Sequence, residues 1–353
     1  MSISAGERRT RILAEVERLG SVRVVELADR LGLPAVTVRR DVAALADAGA
    51  VRRSHGSVSV TTGRSERAAD GPSIGLLVPS VGQYFDEVIA GAREAATAAG
   101  AQLVLGISSY QASADQEQVG QLLKSGVEGV LLAPNWLPSD APDTQAWVGE
   151  LSVPAVLVER RPALGSPAAE LDSVSSDHHH GVLVALRHLA SLGRRQVALA
   201  ARRDTWTAHQ VRGGYDEGCR LLDLAPGPVI DSAGPQRDAE SVADQVLRLV
   251  EGGTDSLLVH NDQDALQLLP LLRARGLAVP DDLSVISYDD VFAAMGAPPL
   301  TAVAPPKTAA GSAAVDLLLG RISGRAATPA PPVRHVQLLP ELKVRESCGA
   351  SAR

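Results

Sequence analysis

Val24 to Gly56 reads VVELADRLGLPAVTVRRDVAALADAGAVRRSHG, and its periodicity decides the architecture of the first sixty residues. Leu27, Ala28 and Leu31 share one face of a short helix, Gly32 ends it, and Pro34 suits the first turn of the next. In that second helix Val38, Val42 and Leu45 recur at i, i+4 and i+7, an apolar stripe that faces inward. The opposite face carries Val36, Thr37, Arg39, Arg40 and Ala43, small residues flanked by two guanidiniums. A basic face trimmed of bulk is what the DNA major groove admits, with arginine reading guanine edges or clamping phosphates. Gly49 closes the helix, and Ala50 to Val60 predicts a hairpin whose tip bears Arg52, Arg53 and His55. Helix, turn, helix and basic hairpin make a winged helix-turn-helix, with double-stranded DNA as the implied partner.

Working outward, Ile12, Leu13, Val16 and Leu19 predict a first helix that ends at Gly20. Thr61 to Pro72 (TTGRSERAADGP) is polar without apolar period and is expected to be a linker. Charge divides at the same place. The chain has a net charge of −7, yet residues 1–67 hold twelve arginines against eight acidic residues. The remainder is strongly acidic, which suits a nucleic-acid reader joined to a body that stays off DNA. Lysine occurs only at positions 124, 307 and 343, a bias that composition explains before function does.

From Ser73 the rhythm changes. SIGLLVP, QLVLGIS, GVLLAP, PAVLVE, QVALAA, DSLLVH and DLSVISY are short apolar runs, most of them separated by helical stretches. Continuous apolar strands alternating with helices predict parallel sheets covered on both faces, an α/β class. Some 270 residues of this pattern exceed one ordinary sheet, so two subdomains are expected.

Two resemblances sharpen this. ERRTRIL from Glu7, VELADRLGL and TVRRDVAALADAGAVRRSHG closely resemble the DNA-binding domain of the DeoR family. Thr37–Asp41 stands where that family carries TIRRDL, and His55-Gly56 where it carries HGG. The chain departs from the pattern at Pro34, usually serine, and at Ser57, usually the second wing glycine. The body resembles the LacI/GalR regulatory domain, of the type I periplasmic-binding-protein fold. The resemblance rests on Ile74–Pro79, Gly126–Leu132, Asp177 with Gly181, His260–Leu266, VPDDLSVISYDD, PPLTAV and LLPELKVRESC. It implies a head over residues 1–60, a linker over 61–72 and a sensor over 73–349. Within the sensor it implies one subdomain of 73–168 with 292–325 and another of 169–290 with 333–346. The chain would cross between them near Glu170–Val174, Asp289–Pro298 and Ala326–Pro332. The LacI family's own headpiece and hinge helix are replaced here, and residues 61–72 lack a hinge-helix pattern. The final GASAR has no heptads, so a homodimer is expected in place of a tetramer.

In open α/β sheets ligands bind beyond the carboxyl ends of the strands. The corresponding loops hold Tyr84 and Phe85 after SIGLLVP, Asn135 and Trp136 after GVLLAP, and Trp206 after QVALAA, with Asn261 and Asp262 after DSLLVH. Four of the chain's few aromatics thus fall in these loops. Aromatic faces with scattered hydrogen-bonding groups suit a sugar, or alternatively a nucleoside. Asp262 matches the family's ligand carboxylate, with helix capping as its competing role. Arg212 lies one place from the family's ligand arginine, because Arg-x-x-Gly-aromatic would put it at Val211. His180 is a further candidate. His178–His180 are adjacent and point in different directions, so no metal is expected.

No dinucleotide fingerprint, phosphate-binding loop or nucleophile elbow is present. Two cysteines, no leader pattern and no apolar run near the ~20 residues needed to span a bilayer lead to a cytoplasmic expectation. The function expected is an effector-responsive transcription regulator, a repressor of a carbohydrate operon, with no cofactor and no catalysis. An activator is the alternative, and a solute-binding protein or enzyme a distant one.

Overall fold

The computed structural model describes residues 5–350 apart from 20, 55–56, 61–70, 82, 111, 139, 141, 163–164, 234–237 and 325–330. His55 and most of the expected linker therefore lie outside the described residues. The chain begins with α1 (Ala5–Leu19), β1 (Ser21–Arg23), α2 (Val24–Leu31), α3 (Ala35–Asp47), β2 (Val51–Ser54) and β3 (Ser57–Val60). Ile12, Val16, Leu27, Val38, Val42, Leu45 and Val58 close their small core. Gly32 ends α2 in the left-handed region at φ 64°, which a side chain would disfavour. Pro34 is the N-cap of α3 and not its first helical residue; Thr37 and Val38 both donate their backbone N–H to its carbonyl. β2 and β3 form the expected hairpin, with Arg52 opposite Ser59 and Arg53 opposite Val58. β1 adds an unexpected third strand, Val22 facing Val58. Three residues are too few to show a period of two.

The body runs β4 (Ser73–Val78), α4 (Tyr84–Ala98), β5 (Gln102–Ile107), α5 (Ala112–Lys124), β6 (Gly129–Leu132), β7 (Ala155–Val158) and β8 (Asp172–Ser176). It continues α6 (His178–Ser191), β9 (Gln196–Ala201), α7 (Trp206–Leu221), β10 (Ala225–Asp231), α8 (Ala239–Glu251), β11 (Ser256–His260), α9 (Asp262–Ala274) and β12 (Ser284–Tyr288). It closes with β13 (Thr301–Ala304), α10 (Lys307–Ser323), β14 (His335–Leu338) and β15 (Glu341–Lys343). One sheet has the order β14-β8-β7-β6-β4-β5 and the other β10-β9-β11-β12-β13-β15. β6, β7, β11 and β12 are buried along their whole length, as strands covered on both faces must be. Among the described residues no helix is long and apolar enough to cross a membrane.

The chain divides into two compact units, Met1–Ser175 with Lys307–Val336, and Ser176–Pro306 with Gln337–Arg353. These limits correct the expected subdomain boundaries. β8 pairs with β7 in the first sheet, so residues 172–175 belong to the first unit and not the second. β13 pairs with β12 in the second sheet, so residues 292–306 do not belong to the first. β14 joins the first sheet beside β8, although residues 333–338 were expected in the second subdomain. The sheet to which a strand belongs is set by its ladder partner, and an apolar run carries no record of that partner.

In the first unit α4 and α10 meet without side chains between them. A Cβ on Gly91 would stand 2.0 Å from the Thr308 carbonyl, and one on Gly311 2.0 Å from the Val88 carbonyl. This approach sets the first turns of α10 against the first half of α4.

Candidate functional site

The head's outward face is built on α3. Val38, Val42 and Leu45 turn inward, which leaves Val36 73% exposed and both Arg39 and Arg40 in solvent. Thr37 is half-buried between them. Among the described residues neither Arg39 nor Arg40 has an ion-pair partner, so both guanidiniums are available to an anion or a base edge. The side chains of Arg52 and Arg53 are not among those described. Behind α3 lies a residue to which the sequence reading gave no role, Asp41, only 1% exposed. Arg8 Nε donates to its Oδ2 at 2.8 Å and Arg9 Nε to its Oδ1 at 3.3 Å. α1 thus grips the recognition helix from its inner side. The sequence signal was an acid on the apolar face of a basic helix, four places from Leu45.

At the carboxyl ends of the first sheet, Tyr84 and Phe85 open α4, their rings 5.4 Å apart and 71° inclined. Phe85 is buried, while Tyr84 is half-buried under Lys307, whose Nζ lies 5.6 Å from the ring centroid. Lys307 itself is 2% exposed and pairs with Glu87 at 3.0 Å. Asn135 is held by Asp115: its N–H donates to Oδ2 at 2.7 Å and its Nδ2 to Oδ1 at 2.9 Å. The same Nδ2 reaches Ser108 Oγ at 2.8 Å. Asn135 Oδ1 is buried with no partner among the described residues, a ready acceptor for a hydroxyl. Burial raises the Asp115 carboxyl above its ordinary range, against the pull of its hydrogen bonds and of Arg160.

Two residues absent from the sequence reading complete this cluster. Arg160 is 5% exposed and donates to the carbonyls of Pro134 and Glu159. Burial lowers its guanidinium, and the charges of Asp115 and Glu159 partly restore it. Glu159 is buried beside it with a left-handed backbone at φ 52°. The signal in the sequence was a Glu-Arg pair directly after an all-apolar strand, PAVLVER. Trp136 is a correction in the other direction. It is 2% exposed, edge-on to Trp147, and packs with Val119, Leu122 and Val148. An aromatic after a strand is equally good core, and here it seals the sheet.

In the second unit, Asp262 is 1% exposed and its Oδ2 accepts from the backbone N–H groups of Val291 and Phe292 at 2.6 and 2.7 Å. It thereby ties the loop after β12 to the start of α9, a role that neither ligand binding nor helix capping anticipated; Asn261 is the N-cap. Arg212 donates to the carbonyls of Arg202 and Ala201 and pairs with Asp231 at 2.8 Å, holding the ends of β9 and β10 together. Trp206 is buried at the first position of α7 behind its cap Thr205. His180 is half-buried, with its N–H bonded to Asp177. Next to these, His260 is buried with neither ring nitrogen hydrogen-bonded among the described residues, and burial drives its pKa down to about 3. Asp264, buried and bonded by Ser232 Oγ at 2.7 Å, is pushed up to about 6 by burial.

Comparison with known proteins follows this division. The profile of the DeoR-like helix-turn-helix domain matches residues 8–64, and that of the periplasmic binding protein-like domain matches residues 186–348. The arabinose metabolism transcriptional repressor of Geobacillus stearothermophilus is 25% identical over 333 residues, 91% of this chain and 89% of that protein. The transcriptional regulator CelR in its cellobiose complex superposes with TM-score 0.65 at 24% identity, covering 89% of this chain and 90% of that one. A dimeric Lac repressor with a C-terminal deletion superposes with TM-score 0.66 at 24% identity, over 78% of this chain and 98% of that one.

Proposed function

We propose that this chain, which matches a DeoR-like helix-turn-helix domain and a periplasmic binding protein-like domain, is a sequence-specific transcriptional repressor under the control of a sugar-like effector. One observation carries it: α3 presents Val36, Arg39 and Arg40 to solvent while Asp41 anchors its back, in the same chain as a ligand-binding fold. Thr37, Arg52, Arg53 and His55 complete the proposed DNA surface. Binding through exposed guanidiniums makes operator affinity salt-dependent.

The effector reading rests on chemistry at the carboxyl ends of the strands. Tyr84 offers a half-exposed ring for a sugar face, Asn135 Oδ1 an unused acceptor, and Arg160 with Glu159 a charged donor and acceptor. Within the second unit stand Trp206 and His180, with Arg212 and Asp262 shaping the loops there. The arabinose repressor, by its name, serves sugar metabolism, and CelR was solved with cellobiose; both favour a carbohydrate. We assign the protein to the cytoplasm as a homodimer without catalytic activity. Effector controls DNA binding through unequal affinity for two states of the protein. The test pairs selection of DNA from a random pool with a thermal-shift screen of pentoses, hexoses and disaccharides. A selected palindromic site released by one stabilising sugar is expected. Failure to enrich any sequence overturns the reading.

A further inference from the structure

Within the first unit the head is bonded to the loops that follow β4 and β5. Arg9, whose Nε holds Asp41 on the recognition helix, donates its Nη1 to the Val81 carbonyl at 2.9 Å. Thr10 Oγ1 meets Ser109 Oγ at 2.8 Å. The loops that receive these contacts follow β4 and β5 and are themselves joined, Ser80 Oγ donating to Tyr110 Oη at 3.2 Å. They are also the wall of the candidate effector site: Val81 lies three residues before Tyr84, and Ser108 is bonded to Asn135. Ser109 and Tyr110 both stand at φ 57°, a conformation that their seating must hold in place.

A second contact lies at the other end of the recognition helix. Arg93 donates to the carbonyls of Asp47 and Ala48, the last turn of α3, where a cation also suits the helix dipole. The approach is close: a Cβ on Gly49, already at φ 78°, would stand 2.7 Å from Arg93 Nη2. Arg93 belongs to α4, the helix whose first two residues are Tyr84 and Phe85. One rigid helix thus carries effector-site aromatics at its start and a grip on the recognition helix nine residues on.

We propose that the head is docked on the effector-site loops, so that Arg9 and α4 carry effector occupancy directly to α3. The proposal deepens the regulator reading and depends on it. Effector that draws on Tyr84 or Asn135 shifts α4 and the loops at Val81 and Ser109. The seat of α1 then changes, and with it the presentation of Arg39 and Arg40. The exposed face of α3 remains open in the docked state, so docking sets the head's orientation and does not mask it.

The test uses the full chain with Thr10→Cys and Ser109→Cys, whose replaced hydroxyl oxygens are 2.8 Å apart; Cys219 and Cys348 are buried and stay reduced under mild oxidation. Docking requires that more than half of the chains form the intramolecular disulfide, read as a mobility change on a non-reducing gel. A yield below half overturns it. Coupling requires that Asn135→Ala, which releases Ser108 and Asp115, alter the cross-linking rate at least threefold. Where circular dichroism shows that variant unfolded, Ser80→Ala, which frees the Val81 loop from Tyr110, takes its place with the same expected change. An unaltered rate refutes coupling. Neither measurement needs DNA or sugar, so a protein that selects no operator refutes the regulator reading separately.

Discussion

Replacing Asp262 with alanine tests what holds the second unit's loops. In the wild type, Oδ2 receives two backbone N–H groups, from Val291 and Phe292, at 2.6 and 2.7 Å, in a site 1% exposed. Alanine leaves both donors without that acceptor, and a buried unsatisfied donor costs about 1–3 kcal/mol. Two give about 2–6 kcal/mol, the lower end applying if the loop opens to water. Asp262→Asn retains a carbonyl oxygen for both donors while it loses the charge and turns the other oxygen into an NH2 group. The difference between charged and neutral hydrogen bonds makes that about 1–3 kcal/mol. Urea unfolding of the full chain measures the loss, and hydrogen exchange at the Val291 and Phe292 amides locates it. Both amides should lose protection in the alanine variant and keep part of it in the asparagine variant. Unchanged protection and stability, accompanied by a tenfold or larger loss of affinity for the stabilising sugar, would refute the framework role and restore Asp262 as a ligand carboxylate.

Three further outcomes follow from the same geometry. Asp264 is raised from 3.8 to about 6 by burial, so the folded state holds its proton more tightly than the unfolded chain; its stabilising effect is complete below pH 4 and is lost as pH rises through 6. By that shift ionisation costs about 3 kcal/mol, and Asp264→Asn should stabilise the protein at pH 7.5 and remove this pH dependence from denaturation curves. Arg39→Ala with Arg40→Ala should lower affinity for the selected operator tenfold or more in fluorescence anisotropy at fixed salt, with unaltered sugar binding; equal affinity would remove α3 as the reading helix. Tyr84→Ala should weaken sugar binding in calorimetry about tenfold while Trp136→Phe leaves it within twofold, since Trp136 is packed away in the core.

The head and the class of the body were legible because their signals are local. The i, i+4, i+7 spacing of Val38, Val42 and Leu45 places three side chains on one helix face whatever surrounds it, and so leaves Arg39 and Arg40 outside. Apolar runs such as GVLLAP announce buried parallel strands for the same reason. What the tertiary structure alone decided concerns partners distant in sequence. β8, β13 and β14 were assigned to the wrong unit because ladder pairing is a relation between segments. Trp136 and Tyr84 both follow an apolar strand, and only packing made one a seal beside Trp147 and the other a half-open ring beneath Lys307. Asp262 reads as a ligand or a cap until Val291 and Phe292 are seen to occupy it. Asp41, buried against Arg8 and Arg9 from thirty-odd residues earlier, and Arg160, buried beside Glu159, acquire their roles only from what folding brings against them. A charged residue inside a protein is stable only with its partners, and those partners are not written next to it in the chain.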